Sequence, residues 1–166
     1  PDKKGETPKL VFVTSLESSI DYIVRYIKNH DNEEIGVIVQ NNELRRAIHK
    51  TLQSSLMNFG KIKLQTYSSY PSDNSPVENM KFDRPGTVTL LDKKSCKGLE
   101  FDSVFLPEIQ QITVTPDEID IFKMDMYVMI ARARKSAYLM ISNSGSGTPA
   151  IMGYLPDDSL LERQHV

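Results

Sequence analysis

Short apolar runs alternate with amphipathic stretches through the first half of the chain. Lys9–Thr14 (KLVFVT) reads as a strand, and Ser15 is placed to cap a helix whose Leu16, Ile20, Ile23, Val24 and Ile27 recur at helical spacing. Asn29–Glu34 is a polar turn. Ile35–Val39 (IGVIV) is apolar throughout, the pattern of a strand buried on both faces and therefore of parallel pairing. Asn41 or Asn42 can then cap a second helix, Glu43–Met57, with Leu44, Ala47, Ile48, Thr51 and Leu56 inward and Arg45, Arg46 and Lys50 largely outward. Ile62–Thr66 alternates as a third strand.

Beyond it the pattern loosens and then returns. Residues 67–85 are rich in Ser, Asn, Asp and Pro, with Pro71, Pro76 and Pro85, and read as a surface excursion. Thr87–Leu91 is a buried strand, followed by a basic loop around Gly98 and a second apolar run, Val104–Leu106. From Pro107 to Asp120 the pattern is weak. Met124–Arg134 (MDMYVMIARAR) predicts a helix and Ala137–Ser142 a last strand. The tail carries SGSG, Pro149 and a short amphipathic piece, Tyr154–Leu161. Strands alternating with helices predict an α/β fold: a doubly wound, mainly parallel sheet with helices on both faces, one domain over residues 1–166.

Composition narrows this only a little. At 166 residues, with 39% apolar and 25% charged residues, the chain has the size and balance of one domain with its own core. The formal net charge of −2 argues against a wholesale polyanion binder, but the basic residues are bunched at Arg45, Arg46 and Lys50, at Lys93, Lys94 and Lys97, and at Arg132, Arg134 and Lys135. The single cysteine, Cys96, permits no internal disulfide and is expected to be a small buried side chain in a reducing compartment. No apolar run approaches a membrane span and Pro1–Gly5 does not resemble a signal peptide, so a cytoplasmic location and no membrane partner are expected. A start without Met fits an excised piece of something longer.

Candidate chemistry gathers in Thr87–Val104, TVTLLDKKSCKGLEFDSV. A strand running into a Gly-containing polar loop is where α/β proteins place ligands. Gly98 would let the backbone come close to a ligand, Lys94 and Lys97 add positive charge, and Glu100 is an acceptor suited to a sugar hydroxyl. Together they suggest a nucleotide. Yet no G-x-x-x-x-G-K-[ST] loop is present, because Gly60-Lys61 has Ser55 where the first glycine belongs and is followed by Ile62. Asp117-Glu118 lacks the apolar strand that a metal-binding acidic pair needs. The phosphate cradle must come from elsewhere.

Three segments, in this order, resemble the second-half motifs of superfamily 1 helicases of the UvrD/Rep type. IGVIVQNNELRRAIHKTL (Ile35–Leu52) is similar to motif IV, TVTLLDKKSCKGLEFDSVFL (Thr87–Leu106) to motif V, and MYVMIARARKSAYLMIS (Met126–Ser142) to motif VI. The resemblance implies a C-terminal RecA-like motor domain, of P-loop NTPase type without its own Walker A, which closes on an N-terminal RecA-like domain of the same chain. That partner would hold most of the ATP and Mg2+. By the resemblance, Arg132 is the arginine that reaches the γ-phosphate, and Gln40, Lys97, Gly98 and Glu100 approach the nucleotide. Lys94 and Ser95 would lie along single-stranded DNA, or RNA, and Tyr127 is the motif VI aromatic, expected to pack in the core. Gln40 stands for a family arginine, Ala131 and Asp92 for threonines and Lys94 for a histidine, while IFKM (Ile121–Met124) replaces a charged cluster. The 67–85 excursion falls where UvrD and Rep insert an accessory subdomain, so the chain looks like a reduced branch. The implied activity is an ATP-dependent DNA helicase of which this domain alone is inactive. A RecA-like domain that has lost its engine, and serves as a nucleic-acid or protein-binding module, is the alternative.

Overall fold

The computed structural model describes residues 5–142, 150–156 and 160–166. In chain order the elements are β1 (Lys9–Val13), α1 (Leu16–Asn29), β2 (Glu34–Val39), α2 (Asn42–Leu56), β3 (Lys63–Tyr67), β4 (Thr87–Asp92), β5 (Phe101–Leu106), α3 (Ile119–Ile130), β6 (Ala133–Ser142) and β7 (Glu162–His165). The strands form one sheet in the order β3-β4-β2-β5-β6-β1-β7, every neighbouring pair parallel. This is the expected α/β architecture. Every described strand is parallel, where a mainly parallel sheet was expected.

Strand alternation sorts the core into two layers. Ile35, Val37 and Val39 of β2 join Val11, Val88, Leu90 and Phe105 under α1 and α2, whose Ile20, Ile23, Ile27, Leu44, Ile48, Leu52 and Leu56 are buried there. Ile38 points the other way, with Leu10, Leu91, Val104, Leu106 and Ile141, against Phe122, Met126 and Met129 of α3. Ser15 and Asn41 cap α1 and α2 by accepting from the backbone N–H of Ser18 and Leu44. Cys96 is fully buried in the second layer, as its small apolar character predicts.

Several expectations need correction. Arg45 faces inward and is 1% exposed: its guanidinium donates to Thr66 Oγ1 (2.7 Å), Asn42 Oδ1 and Asp73 Oδ2 (3.0 Å). Ala47 and Thr51 are exposed instead. The inward stripe of α2 steps by four residues, Leu44, Ile48, Leu52 and Leu56, with Arg45 at its margin. Tyr127 is 70% exposed rather than packed in the core, since α3 turns Phe122, Met126 and Met129 to the sheet. That helix also starts and ends earlier than expected, which brings β6 in at Ala133, while β5 starts at Phe101. Part of the tail pairs as an edge strand, β7, alongside β1, with Phe12 and His165 stacked at 4.6 Å. The SGSG segment and Pro149 lie outside the described residues.

The excursion is held by polar bonds rather than a core; neither of its short helical turns has a buried residue. Thr66 N–H donates to Ser75 Oγ, Ser68 N–H to Asn74 Oδ1, and Lys81 N–H to the buried amide of Gln65. Asp73 Oδ2 accepts from Asn42, Arg45 and Arg46, and chiefly the Arg46 bond lowers its carboxyl pKa. Asp83 N–H donates to Glu34 Oε2 (2.6 Å).

Gly36 permits the tightest packing in β2. A Cβ there would stand 2.6 Å from the ring of the fully buried Phe101. Gly36→Ala is therefore expected to lower the unfolding free energy by about 1–3 kcal/mol through overpacking, read as a lower urea midpoint with an unchanged slope.

Candidate functional site

Because all strands run one way, the sheet has two unlike edges. At the edge where strands begin, Phe101 pairs with Ala133 and its N–H donates to the carbonyl of Arg132 at 2.8 Å. Glu100 and Arg132, each one residue before its strand, are thereby brought side by side. The Arg132 guanidinium reaches back to the Val128 carbonyl at the end of α3 (3.0 Å) and to the Leu99 carbonyl (3.5 Å). Gly98 precedes them with φ +81°, the left-handed conformation that glycine adopts without strain, and a Cβ there would meet nothing within 4 Å. Its glycine is needed for the turn, and the space beside it is open.

Charge at this edge is unevenly shared. Arg134 Nη2 binds Glu34 Oε1 at 2.6 Å, its Nε lies 3.3 Å from Asp102 Oδ1, and its Nη1 lies 3.9 Å from Glu100 Oε2. Burial by itself would lower the Arg134 pKa, but the Glu34 bond and the neighbouring carboxylates hold it above the usual value. Lys135 is raised by its bond to Glu33 (2.9 Å). Glu33 also accepts from Tyr26 and Ser103, and burial raises the Tyr26 pKa. Among the described residues no carboxylate pairs with Arg132. Its guanidinium is steadied by backbone carbonyls instead.

At the opposite edge Gln40 follows β2, Ser69 and Tyr70 follow β3, and Lys93, Lys94 and Ser95 follow β4. The chain leaving β2 enters α2 on one face, while the chain leaving its neighbour β4 buries Cys96 on the other. Adjacent strands whose connections part in this way open a crevice, the usual ligand position in α/β sheets. The cleft holds about 190 Å³ between Gln40, Asn41, Asn42, Ser69, Tyr70, Asp92, Lys93 and Lys94. Gln40 Nε2 is buried with no hydrogen-bond partner among the described residues. Tyr70 is 52% exposed.

Asp92 braces this edge. Its Oδ2 accepts from Ser69 Oγ (2.8 Å) and N–H (3.2 Å) and its Oδ1 from Ser95 N–H (3.0 Å). Ser95 is thus engaged through its backbone in the Lys93–Ser95 turn.

The structure therefore joins Arg132, Gly98 and Glu100, and separately joins Gln40 with Lys94 and Ser95. It does not bring Gln40 to Glu100, because β2 carries Gln40 to the strand-end edge while the β4–β5 connection returns to the strand-start edge before Glu100. Lys97 is exposed on that connection. Asn42, Ser69, Tyr70 and Arg134 carry no motif that marks them as site residues; a polar start to α2 and an aromatic in a polar loop are the signals the chain offers for the first three. Asp117 and Glu118 both accept from Thr115 in a local turn.

No family model matches the chain, and no curated protein matches it. Among solved structures it is similar to the C-terminal domain of a possible DNA helicase from Lactobacillus plantarum WCFS1, at 18% identity and TM-score 0.63, over 98% of this chain and 88% of that one. Domain 2 of the DEAD-box helicase Mss116p, bound to an RNA duplex, matches at 11% identity and TM-score 0.63 over 97% of this chain and 64% of that one. The DUF1998 helicase MrfA, bound to DNA, matches at 12% identity and TM-score 0.59 over 95% of this chain. The fold is that of a helicase C-terminal RecA-like domain. Identities this low speak for the fold alone, and the chain spans only 25% of MrfA.

Burial would raise the Asp92 pKa, but the bonds from Ser95 and Ser69 outweigh it and hold the carboxyl below its ordinary value. A depressed folded pKa stabilises the domain above the unfolded value near ~4 and is lost as pH falls through the folded value. Asp92→Asn should cost about 1–2 kcal/mol near pH 7 and flatten the loss of stability below about pH 4, as measured by urea unfolding across that range.

Proposed function

We propose that this chain is the C-terminal motor domain of an ATP-dependent superfamily 1 helicase of the UvrD/Rep type, acting on single-stranded DNA, with RNA the other candidate track. The observation that carries the reading is Arg132, a cation without a carboxylate partner among the described residues, beside Glu100 and Gly98 at one sheet edge. Phosphoryl transfer needs positive charge where it develops on the transferring group, and a planar guanidinium supplies it. An N-terminal RecA-like domain would supply the phosphate loop and Mg2+, since this chain has no Gly-rich phosphate loop and its described residues include no metal-binding cluster. The residues present fit the arginine and ribose side of an ATP site, with Arg132 toward the γ-phosphate, Glu100 toward the sugar and Lys97 on the approach.

The strand-end cleft suits the nucleic acid. Lys94 offers charge to a phosphodiester, Tyr70 an aromatic face for stacking, and the Gln40 amide an unused donor. Gln40, in the strand-end cleft, serves the strand rather than the nucleotide, so its lack of charge does not bear on hydrolysis. That weakens the case for a binding module without an engine.

Two measurements on the full-length protein test the proposal. Arg132→Ala should reduce DNA-stimulated ATP hydrolysis by about two or more orders of magnitude with little change in single-strand binding; strand binding without stimulated hydrolysis in the parent would favour the binding module. Lys94→Ala should weaken single-strand binding and lower the salt slope of log affinity by about one.

A further inference from the structure

The proposed reading leaves Glu100 with a difficulty. Its side chain sits at the end of a loop and is 45% exposed, and a long, part-exposed acid has to be held in one orientation each time it accepts from a sugar hydroxyl. Arg134 is built to remove that cost. Its Nη2 is fixed by Glu34, whose side chain is 4% exposed, and its Nε by Asp102. Those two acids are themselves held: Glu34 N–H donates to Asp102 Oδ2 at 2.8 Å, and Glu34 Oε2 accepts from Asp83 N–H at 2.6 Å. With two arms of the fork set by β2 and β5, the direction of the third is decided, and Nη1 lies 3.9 Å from Glu100 Oε2. Anchoring alone needs only Glu34 and Asp102; the third arm reaches the residue read as the ribose acceptor.

We propose that Arg134, rooted on Glu34 and Asp102, is a positioning residue that orients Glu100 and thereby sets the preference of the ATP site for a nucleotide with its full ribose. The inference rests on the reading of Glu100 as the sugar contact. Lysine at this position would keep a charge for Glu34, but a single ammonium cannot hold Glu34, Asp102 and Glu100 at once.

The test compares ATP, 2′-deoxy-ATP and 3′-deoxy-ATP as substrates of the full-length protein, its Glu100→Gln variant and its Arg134→Lys variant. Glu100→Gln should raise KM for ATP about tenfold, the scale of a lost charge-assisted hydrogen bond, and erase the preference over at least one deoxy analogue. Arg134→Lys should do the same while kcat stays within about twofold, since only binding has been loosened. Arg134→Lys that keeps the wild-type preference, or raises KM for all three nucleotides alike, overturns the proposal while leaving Glu100 its role. If Glu100→Gln leaves the preference unchanged, the reading of Glu100 falls and this inference with it. Should Arg134→Lys lose the native circular dichroism, Asp102→Asn loosens the same arm at a part-exposed position; an unaltered preference there overturns the proposal.

Discussion

Parallel pairing of every described strand governs this molecule. Each connection must carry the chain back across a face of the sheet, so both faces are covered and the middle strands β4, β2 and β5 are buried along nearly their whole length. The same rule makes the two edges chemically different. One gathers strand ends and the capped starts of α1 and α2; the other gathers strand starts, the end of α3 and the return of the β4–β5 connection.

Charge is what finishes each edge. At the strand starts Glu33, Glu34 and Asp102 meet Arg134 and Lys135, tying β2, β5 and β6 together where the ladder begins. Glu33 and Glu34 are the buried members and Arg134 and Lys135 the part-exposed ones, so removing a cation would leave a buried carboxylate without its charge partner. Arg45 does comparable service on the far side of the domain, linking α2 to β3 and to the excursion through Thr66 and Asp73. An excursion with no buried residue in its turns is ordered because its backbone N–H groups find side-chain acceptors.

Two arginines two residues apart in the chain are held in different ways. Arg134 is surrounded by carboxylates and serves the frame, whereas Arg132 is steadied by two backbone carbonyls. Nothing in their residue type separates them; their neighbours across the sheet do.

Much of this was legible in the chain itself. The unbroken apolar run of Ile35–Val39, the capped helices and the strand–helix alternation specify a parallel α/β sheet, because the periods of buried faces are local properties. The Gly98 loop and Glu100 could be singled out for the same reason, since backbone handedness and side-chain chemistry belong to single residues. Arg45 and Tyr127 could not be placed, as a long polar side chain and an aromatic ring go inside or outside according to partners many residues away. Nor could β7, a polar four-residue strand that exists only because β1 offers an edge. The grouping of Gln40 with Lys94, and of Arg132 with Glu100, was decided by strand order and direction: residues adjacent in a motif were sent to opposite edges, and residues far apart in the chain were brought to one.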